Sequence, residues 1–440
     1  MAFALARRDP GFSPVAQTAL IIVLGLALAN LLFNAIATAA DAGYPYTSFL
    51  FRPLDRFGDF FKLVFSYPGP PLHPAASFWG VDDLLARHLA DVKRFEGTDV
   101  NHFHVPPIPT LLALAARGMM SLVDPVLLFL GFIIAALAAL FRTVLRASPG
   151  GRSTGVAFAT VALLGYPTLL AIDRGHFFSL ICAMLMIAAT LRTLRDGRAD
   201  GWAILMFAVA LNIRPNAGVI PLALFLGRGG LSFRSAMLVG LASAGLFVGG
   251  LAVAHQIYPA YTFDSFLAGL RDYGKGYAGG DIGYPNGSSF YGMLRAPFGY
   301  GAWMLAPPFF VGGLLLAAAI LEARQGALRP AECLFVTLCA YTLGSHVFAD
   351  YHLLVFIIPL VLVAREKGSL DRSGWAIALA SSLILAPKNF VFEVHDNIAW
   401  SWQVIANPLI LLAASAMVLV TARCRASSAK IQADGVPAAA

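Results

Sequence analysis

Titratable side chains are scarce in this sequence, with 24 Asp and Glu and nine His in 440 residues, and their placement is uneven. One polar stretch, roughly 41–106, holds Asp41, Asp55, Asp59, Asp82, Asp83, Asp91, Asp99, His73, His88, His102 and His104. Elsewhere, short polar groups interrupt long apolar runs. These are Asp173-Arg174-Gly175-His176, Asn212-Ile213-Arg214-Pro215-Asn216, Ser345-His346 with Asp350-Tyr351-His352, and Lys388-Asn389. Carboxylates and imidazoles suit general acid–base work on a hydroxyl. Guanidinium forks match the oxygens of a phosphate or carboxylate. Other chemistries have no foothold, since there is no GxxxxGK[ST], no HExxH and no GxSxG, and the pair Ser288-Ser289 lacks a nucleophile elbow. The adjacent Asp82-Asp83 pair would point in different directions on a helix and makes a poor metal site. The four cysteines (Cys182, Cys333, Cys339, Cys424) show no CxxC spacing, so neither a disulfide framework nor a zinc site is expected.

The elements that must position these groups follow from composition. Hydrophobic residues make up 58% and charged residues 12%, about half the ~25% charged share usual in soluble domains. Mean hydropathy is +0.73. So few charges cannot cover a water-facing surface, which excludes a soluble multidomain enzyme, a disordered chain and a nucleic-acid binder. Apolar runs over roughly 17–40, 122–141, 154–172, 177–191, 201–213, 216–227, 235–255, 302–322, 331–347, 350–364, 373–387 and 403–422 predict about twelve membrane crossings. The expected fold is an all-α polytopic integral membrane protein in a single domain over 1–422. A cytoplasmic, disordered tail is expected over 423–440.

Orientation follows from the basic residues, since short cytoplasmic loops carry an excess of Lys and Arg. With the N-terminus inside, most of the 31 Lys and Arg fall in short inner segments, among them Arg142, Arg146, Arg192, Arg195, Arg329 and Arg425. Both termini are therefore expected in the cytoplasm, with the polar groups above on the outer side. A second helix over 107–121 would invert every later loop if it crossed, so it is expected along the outer face or partly re-entrant. Two outer loops result, about 41–106 with short interfacial helices and about 256–300. The second is rich in Tyr and Gly, including Tyr258, Tyr261, Tyr273, Tyr277, Tyr284, Tyr291 and Tyr300. Its rings suit either stacking on sugar faces or an interfacial aromatic belt.

Taken in order, these stretches resemble a known pattern. Gly58-Asp59-Phe60 in the first outer loop is followed by Phe103-His104-Val105-Pro106-Pro107 opening a helix. Asp173-Arg174-Gly175-His176-Phe177-Phe178 resembles a Gly-Gln-hydrophobic-Asn stretch with His176 in place of Gln, and Ala210-Leu211-Asn212-Ile213-Arg214-Pro215 an aliphatic-Lys-x-Pro turn with Arg214 in place of Lys. Asn286-Gly287-Ser288-Ser289-Phe290-Tyr291-Gly292 with Arg295 resembles an Asn-Gln-Ser…Arg segment, and Ser345 with Asp350-Tyr351-His352 a late Ser…His-Tyr region. The set resembles the GT-C superfamily of polyprenyl-phosphate-sugar-dependent glycosyltransferases, most closely glycosyltransferase family 87 with its alpha-mannosyltransferases.

The resemblance implies a GT-C-like bundle in a bacterial cytoplasmic membrane. It implies inverting transfer of a sugar, mannose in the closest relatives, from a polyprenyl phosphate to a glycolipid or envelope glycan on the outer face, with membrane lipid as surroundings and no nucleic-acid partner. Asp59 matches the catalytic aspartate, with Asp55 as its rival. Arg214, then Arg174 and Arg295, are the candidates for the donor phosphate. His176, Asn286, Tyr291 and Tyr351 are candidate substrate contacts. His352 and His346 are candidates for orienting the acceptor or assisting Asp59, with interfacial snorkelling as the alternative. The Phe60-Phe61 pair after Asp59 is expected to plug into the bilayer face. No cofactor is implied, and a divalent metal is left open. Two readings of another class stay beside this one. A secondary transporter of a polar or anionic solute would also use short, Pro-interrupted helices, and a non-catalytic partner in envelope synthesis would need no base at all.

Overall fold

The computed structural model describes residues 58–67, 69–74, 105–148, 152–227, 231–274, 287–298, 301–346, 348–365, 370–386, 392–395, 398–401 and 403–433. The expected first helix (17–40), Asp55, Asn286 and most acids of the first outer loop lie outside these residues. The described chain is almost wholly helical. Its one sheet among the described residues is an antiparallel hairpin of β1 (Phe392–His395) and β2 (Ile398–Ser401).

The helices run in chain order as α1 (Gly58–Phe65), α2 (Pro107–Met119), α3 (Pro125–Ala147), α4 (Arg152–Leu164), α5 (Tyr166–Asp173), α6 (Phe177–Asp196), α7 (Gly201–Ile213) and α8 (Val219–Leu226). Then come α9 (Phe233–Ile257), α10 (Phe263–Gly274), α11 (Phe290–Phe298), α12 (Ala306–Arg324), α13 (Pro330–Gly344), α14 (Ile357–Ala364), α15 (Arg372–Leu385) and α16 (Gln403–Ala433). Helix starts obey local chemistry. Asp124 accepts the amides of Val126 and Leu127, with Pro125 in the first turn of α3. Asp200, Ser232 and Asp371 cap α7, α9 and α15 in the same way.

Five helices among the described residues are long and apolar enough to cross a membrane: Pro125–Arg146, Phe177–Asp196, Phe233–Ile257, Trp303–Arg324 and Val404–Ser428. The number is six when α4 and α5, bent by 50° at Gly165, are taken as one broken span. Five further apolar helices are shorter. Among the described residues, then, the expected twelve crossings are not all full-length helices. The reason is the punctuation inside the apolar runs. At 1.5 Å per residue the 13-residue α7 reaches only about 20 Å, short of a ~30 Å hydrocarbon core. Gly165 causes the bend. A Cβ there would meet the Val161 carbonyl at 2.8 Å and that of Leu385 at 3.2 Å, and Pro167 stands in the first turn of α5.

Burial is graded from centre to rim. In α13 nearly every residue is buried, and the helix packs against α12, α8, α16, α14 and α15. In α9 only 6% of the apolar window is buried, against 67% in α6. The outward faces of α3, α9 and α12 carry Leu127, Ile134, Leu241, Val248, Val253, Phe309, Phe310 and Leu314, all exposed. So much contiguous apolar surface fits hydrocarbon, where helices need no water for their backbones.

Two expectations are corrected. The region from 423 is not an irregular tail throughout, because α16 continues to Ala433. The cause is an ionic cluster. Arg425 bonds Glu332 at 2.7 Å, Asp371 at 2.7 Å and the Ala327 carbonyl at 3.0 Å. Arg329 bonds the same two carboxylates at 2.7 and 2.9 Å. Glu332 does cap α13 as its position suggests, but it is also the fully buried centre of this cluster. Burial raises the Asp371 carboxyl, yet the Gly374 amide, the Ser373 hydroxyl and Arg329 outweigh it and bring it down to about 2. Its contribution to stability is therefore complete above the ordinary carboxylate value near ~3.9 and is lost only as pH falls toward about 2. Glu332→Ala strips two guanidiniums of a buried partner. It is expected to cost about 3 kcal/mol, read as a lowered unfolding midpoint in detergent.

The second correction concerns Phe60 and Phe61. Each is 2% exposed, packed against protein and not lipid. Phe60 meets Phe129 at 4.9 Å and Phe177 at 5.6 Å, and Phe61 stacks on Phe65 at 5.6 Å. This aromatic packing seats α1 between α3 and α6.

Candidate functional site

Backbone breaks bring the polar groups together. The turn between α5 and α6 needs Gly175 at φ 73°, a left-handed conformation that suits glycine. It leaves Arg174 and His176 on either side. α7 stops at Ile213 because a residue before proline avoids helical backbone, and Arg214 is extended at φ −143°, ψ 95°. Asn212, buried, ties this end to α9 by donating to the Ser243 carbonyl at 2.9 Å. The third break is a 3₁₀ segment, Asp350–Phe356, that carries Tyr351 and His352. Asp350, fully buried, anchors it by accepting from the Ser288 amide at 2.7 Å and the Tyr166 hydroxyl at 3.2 Å.

α1 docks on the first of these turns. The Asp59 amide donates to the Arg174 carbonyl at 2.8 Å, and Arg174 Nη2 donates to Asp59 Oδ1 at 2.9 Å. Both side chains are partly exposed, at 29% for Asp59 and 25% for Arg174. Beside them, Arg214 Nη2 donates to His176 Nε2 and to Ser179 Oγ at 3.3 Å. His176 Nδ1 meets Ser179 Oγ at 3.1 Å. A ring nitrogen that accepts from a guanidinium carries no proton of its own, so Nδ1 holds the imidazole hydrogen and donates it to Ser179. Burial first, then the Arg214 charge, push the His176 imidazole well below its usual value. The Tyr351 ring lies 4.4 Å from that of His176, with the Arg214 guanidinium 5.4 Å above it. His352 follows at 4.7 Å from Tyr351, and its ring nitrogens have no hydrogen-bond partner among the described residues.

Arg214, Tyr351, His352, Ser179, Tyr341 and Asn216 line one crevice together with apolar residues of α6, α8 and α13. Asp59 and Arg174 lie within electrostatic reach of Tyr351, and Tyr273 of α10 within reach of Arg214. Arg214 has no carboxylate among its partners in the described residues. Its contacts are two neutral side chains and an aromatic face. Arg214 is half-buried, and an anion entering the crevice would give it the counter-charge it lacks among the described residues.

The structure thus gathers Asp59, Arg174, His176, Arg214, Tyr351 and His352 from four separate stretches of sequence. Of these, Arg214, Tyr351 and His352 line the crevice and the others group beside it; three further candidates belong to neither set. Arg295 is 2% exposed and bonds the hydroxyl of fully buried Tyr291 at 2.8 Å. His346 Nε2 donates to the Leu305 carbonyl at 2.6 Å and packs between Tyr291 and Phe309. This group braces α11 against the start of α12. Sequence reasoning missed Ser179, whose spacing of three from His176 at the start of α6 was the available signal, and the anchoring role of Asp350. Among the described residues no group of three or more His, Cys, Asp or Glu is arranged to hold a metal ion. No protein-family model, curated protein or solved structure matches this chain.

Proposed function

We propose that this protein is an inverting glycosyltransferase of the membrane, moving a sugar, mannose in the first instance, from a polyprenyl phosphate to a hydroxyl of a glycolipid or envelope glycan. The observation that carries the reading is Arg214, a cation in a crevice without a carboxylate partner among the described residues, next to the Asp59–Arg174 pair. In this reading Asp59 takes the proton from the acceptor hydroxyl while that oxygen bonds to the anomeric carbon. The bond from the anomeric carbon to the phosphate oxygen breaks with inversion. The departing phosphate keeps the electron pair and is held by Arg214. Arg174 orients Asp59, and His352 faces the acceptor from the crevice wall. Arg295, Tyr291 and His346 serve as scaffold. The chain then crosses a bacterial cytoplasmic membrane about twelve times, short helices completing spans with their neighbours, with the crevice toward the outer side and both termini inside.

The test supplies the purified protein with polyprenyl-phosphate mannose and a lipid-glycan extract. Transfer that is lost in Asp59→Asn supports the reading; equal turnover in both proteins removes Asp59 as the base. A secondary transporter of an anionic solute is the second reading. The broken helices at Gly165, at Arg214-Pro215 and over Asp350–Phe356 favour it, because interrupted helices line transporter sites. Absence of transfer with every polyprenyl-phosphate sugar, together with uptake of an anion into proteoliposomes, would decide for it.

A further inference from the structure

The contact between Arg214 and His176 has a chemical consequence for whatever anion enters the crevice. We propose that the crevice takes its anion together with one proton, and that His176 is the group that receives it. The inference rests on the anion-site reading of Arg214 and adds the proton to it.

In the described arrangement Nε2 of His176 accepts from Arg214 and Nδ1 donates to Ser179 Oγ, with Arg214 Nη2 also 3.3 Å from Nδ1. The imidazole is neutral by geometry. An anion at Arg214 draws the guanidinium's Nη2 hydrogens to itself and releases Nε2. It also brings a negative charge to a ring that faced only positive ones. The released Nε2 lone pair then binds a proton from solvent, and the new imidazolium N–H points to where Arg214 pointed before. No bond of the anion is made or broken.

The groups that face His176 are few. From its own turn there is Arg174, already committed to Asp59 of α1. α6 contributes Ser179, and the end of α7 contributes Arg214. The 3₁₀ segment contributes Tyr351 against the ring and His352 beyond it. Burial and the Arg214 charge keep the imidazole neutral in the empty crevice, so a proton becomes favourable there only when the negative charge arrives.

The sign follows. The empty site has a lowered imidazole value and the filled site one nearer the ordinary ~6.5, so binding takes up a proton between the two values and affinity rises as pH falls through that window. The probe is dibutyl phosphate, a diester that keeps one charge throughout, so any pH dependence belongs to the protein. Titration calorimetry on the full chain in detergent, repeated in buffers of different ionisation enthalpy, counts the protons directly. The wild type is expected to bind about tenfold more tightly at pH 5.5 than at pH 7.5 and to take up close to one proton within that window. His176→Gln is expected to bind with a flat pH profile and no uptake, and His352→Gln to keep both the slope and the uptake. Binding by the wild type without proton uptake, uptake retained in His176→Gln, or uptake lost only in His352→Gln would each overturn the proposal. Absence of binding at any pH, or undiminished binding by Arg214→Ala, would instead overturn the anion-site reading beneath it.

Discussion

Arg214→Ala is expected to weaken donor binding by about two orders of magnitude and to abolish measurable transfer. A charge-assisted hydrogen bond contributes about 1.5–3 kcal/mol, and the upper end corresponds to roughly a hundredfold in affinity. Arg214 is at that upper end because nothing negative shares it among the described residues. Its partners are His176, Ser179 and the face of Tyr351. The fold should tolerate the change. α7 ends at this position because Pro215 follows, and the link to α9 runs through Asn212, so neither depends on the Arg214 side chain. Arg174→Ala should harm donor binding less, since Arg174 already has Asp59 as its counter-charge. Dissociation constants for polyprenyl-phosphate mannose measured on both variants check the ranking. The reverse order would move the phosphate to Arg174 and leave Arg214 as a clamp on the Pro215 break.

The second large effect is expected at Asp59. Replacing it with Asn should lower kcat by about 10²–10⁴-fold, the usual contribution of a positioned general base, with donor binding nearly unchanged. Asn keeps the size of the side chain but cannot take a proton. It also leaves the docking of α1 in place, because the Asp59 amide to Arg174 carbonyl bond belongs to the backbone and Phe60 and Phe61 remain packed under it. Arg174→Ala separates the two roles of the pair. It frees the Asp59 carboxylate from its guanidinium while removing what orients it, so kcat should fall less than in Asp59→Asn. A loss of donor binding in Asp59→Asn as large as the loss of kcat would show that Asp59 binds substrate and does not act as base.

The two histidines of the site differ in what they are free to do. His176 is engaged through both ring nitrogens, whereas His352 touches only rings, Tyr351 and Phe348. On the proposed reading, that contrast places His176 with the anion and its proton and His352 with the acceptor.

Composition alone determined that the chain is a helical membrane protein, because 12% charged residues cannot cover a soluble surface. The breaks were legible too. Pro215 after Arg214, Gly175 between Arg174 and His176, and the polar triplet at Asp350 all interrupt apolar periodicity; the first two follow helix ends, and the third opens a 3₁₀ segment. Interruptions are local steric facts, so neighbouring residues suffice to read them. The number of full-length spans was not legible, since apolar windows measure hydrophobicity while spans require uninterrupted helix. The burial of Phe60 and Phe61 in protein was equally hidden, because lipid and a protein core are the same solvent to a phenyl ring. So was the sorting of the polar groups. Arg214 and Arg295 look alike in sequence, each an arginine near a break. Only packing decided that Arg295 is spent on the Tyr291 hydroxyl while Arg214 faces a crevice with no carboxylate partner in the described chain. Long-range pairing of charges depends on which helices become neighbours, and that is set by the sum of many apolar contacts, none of which any short stretch of sequence contains.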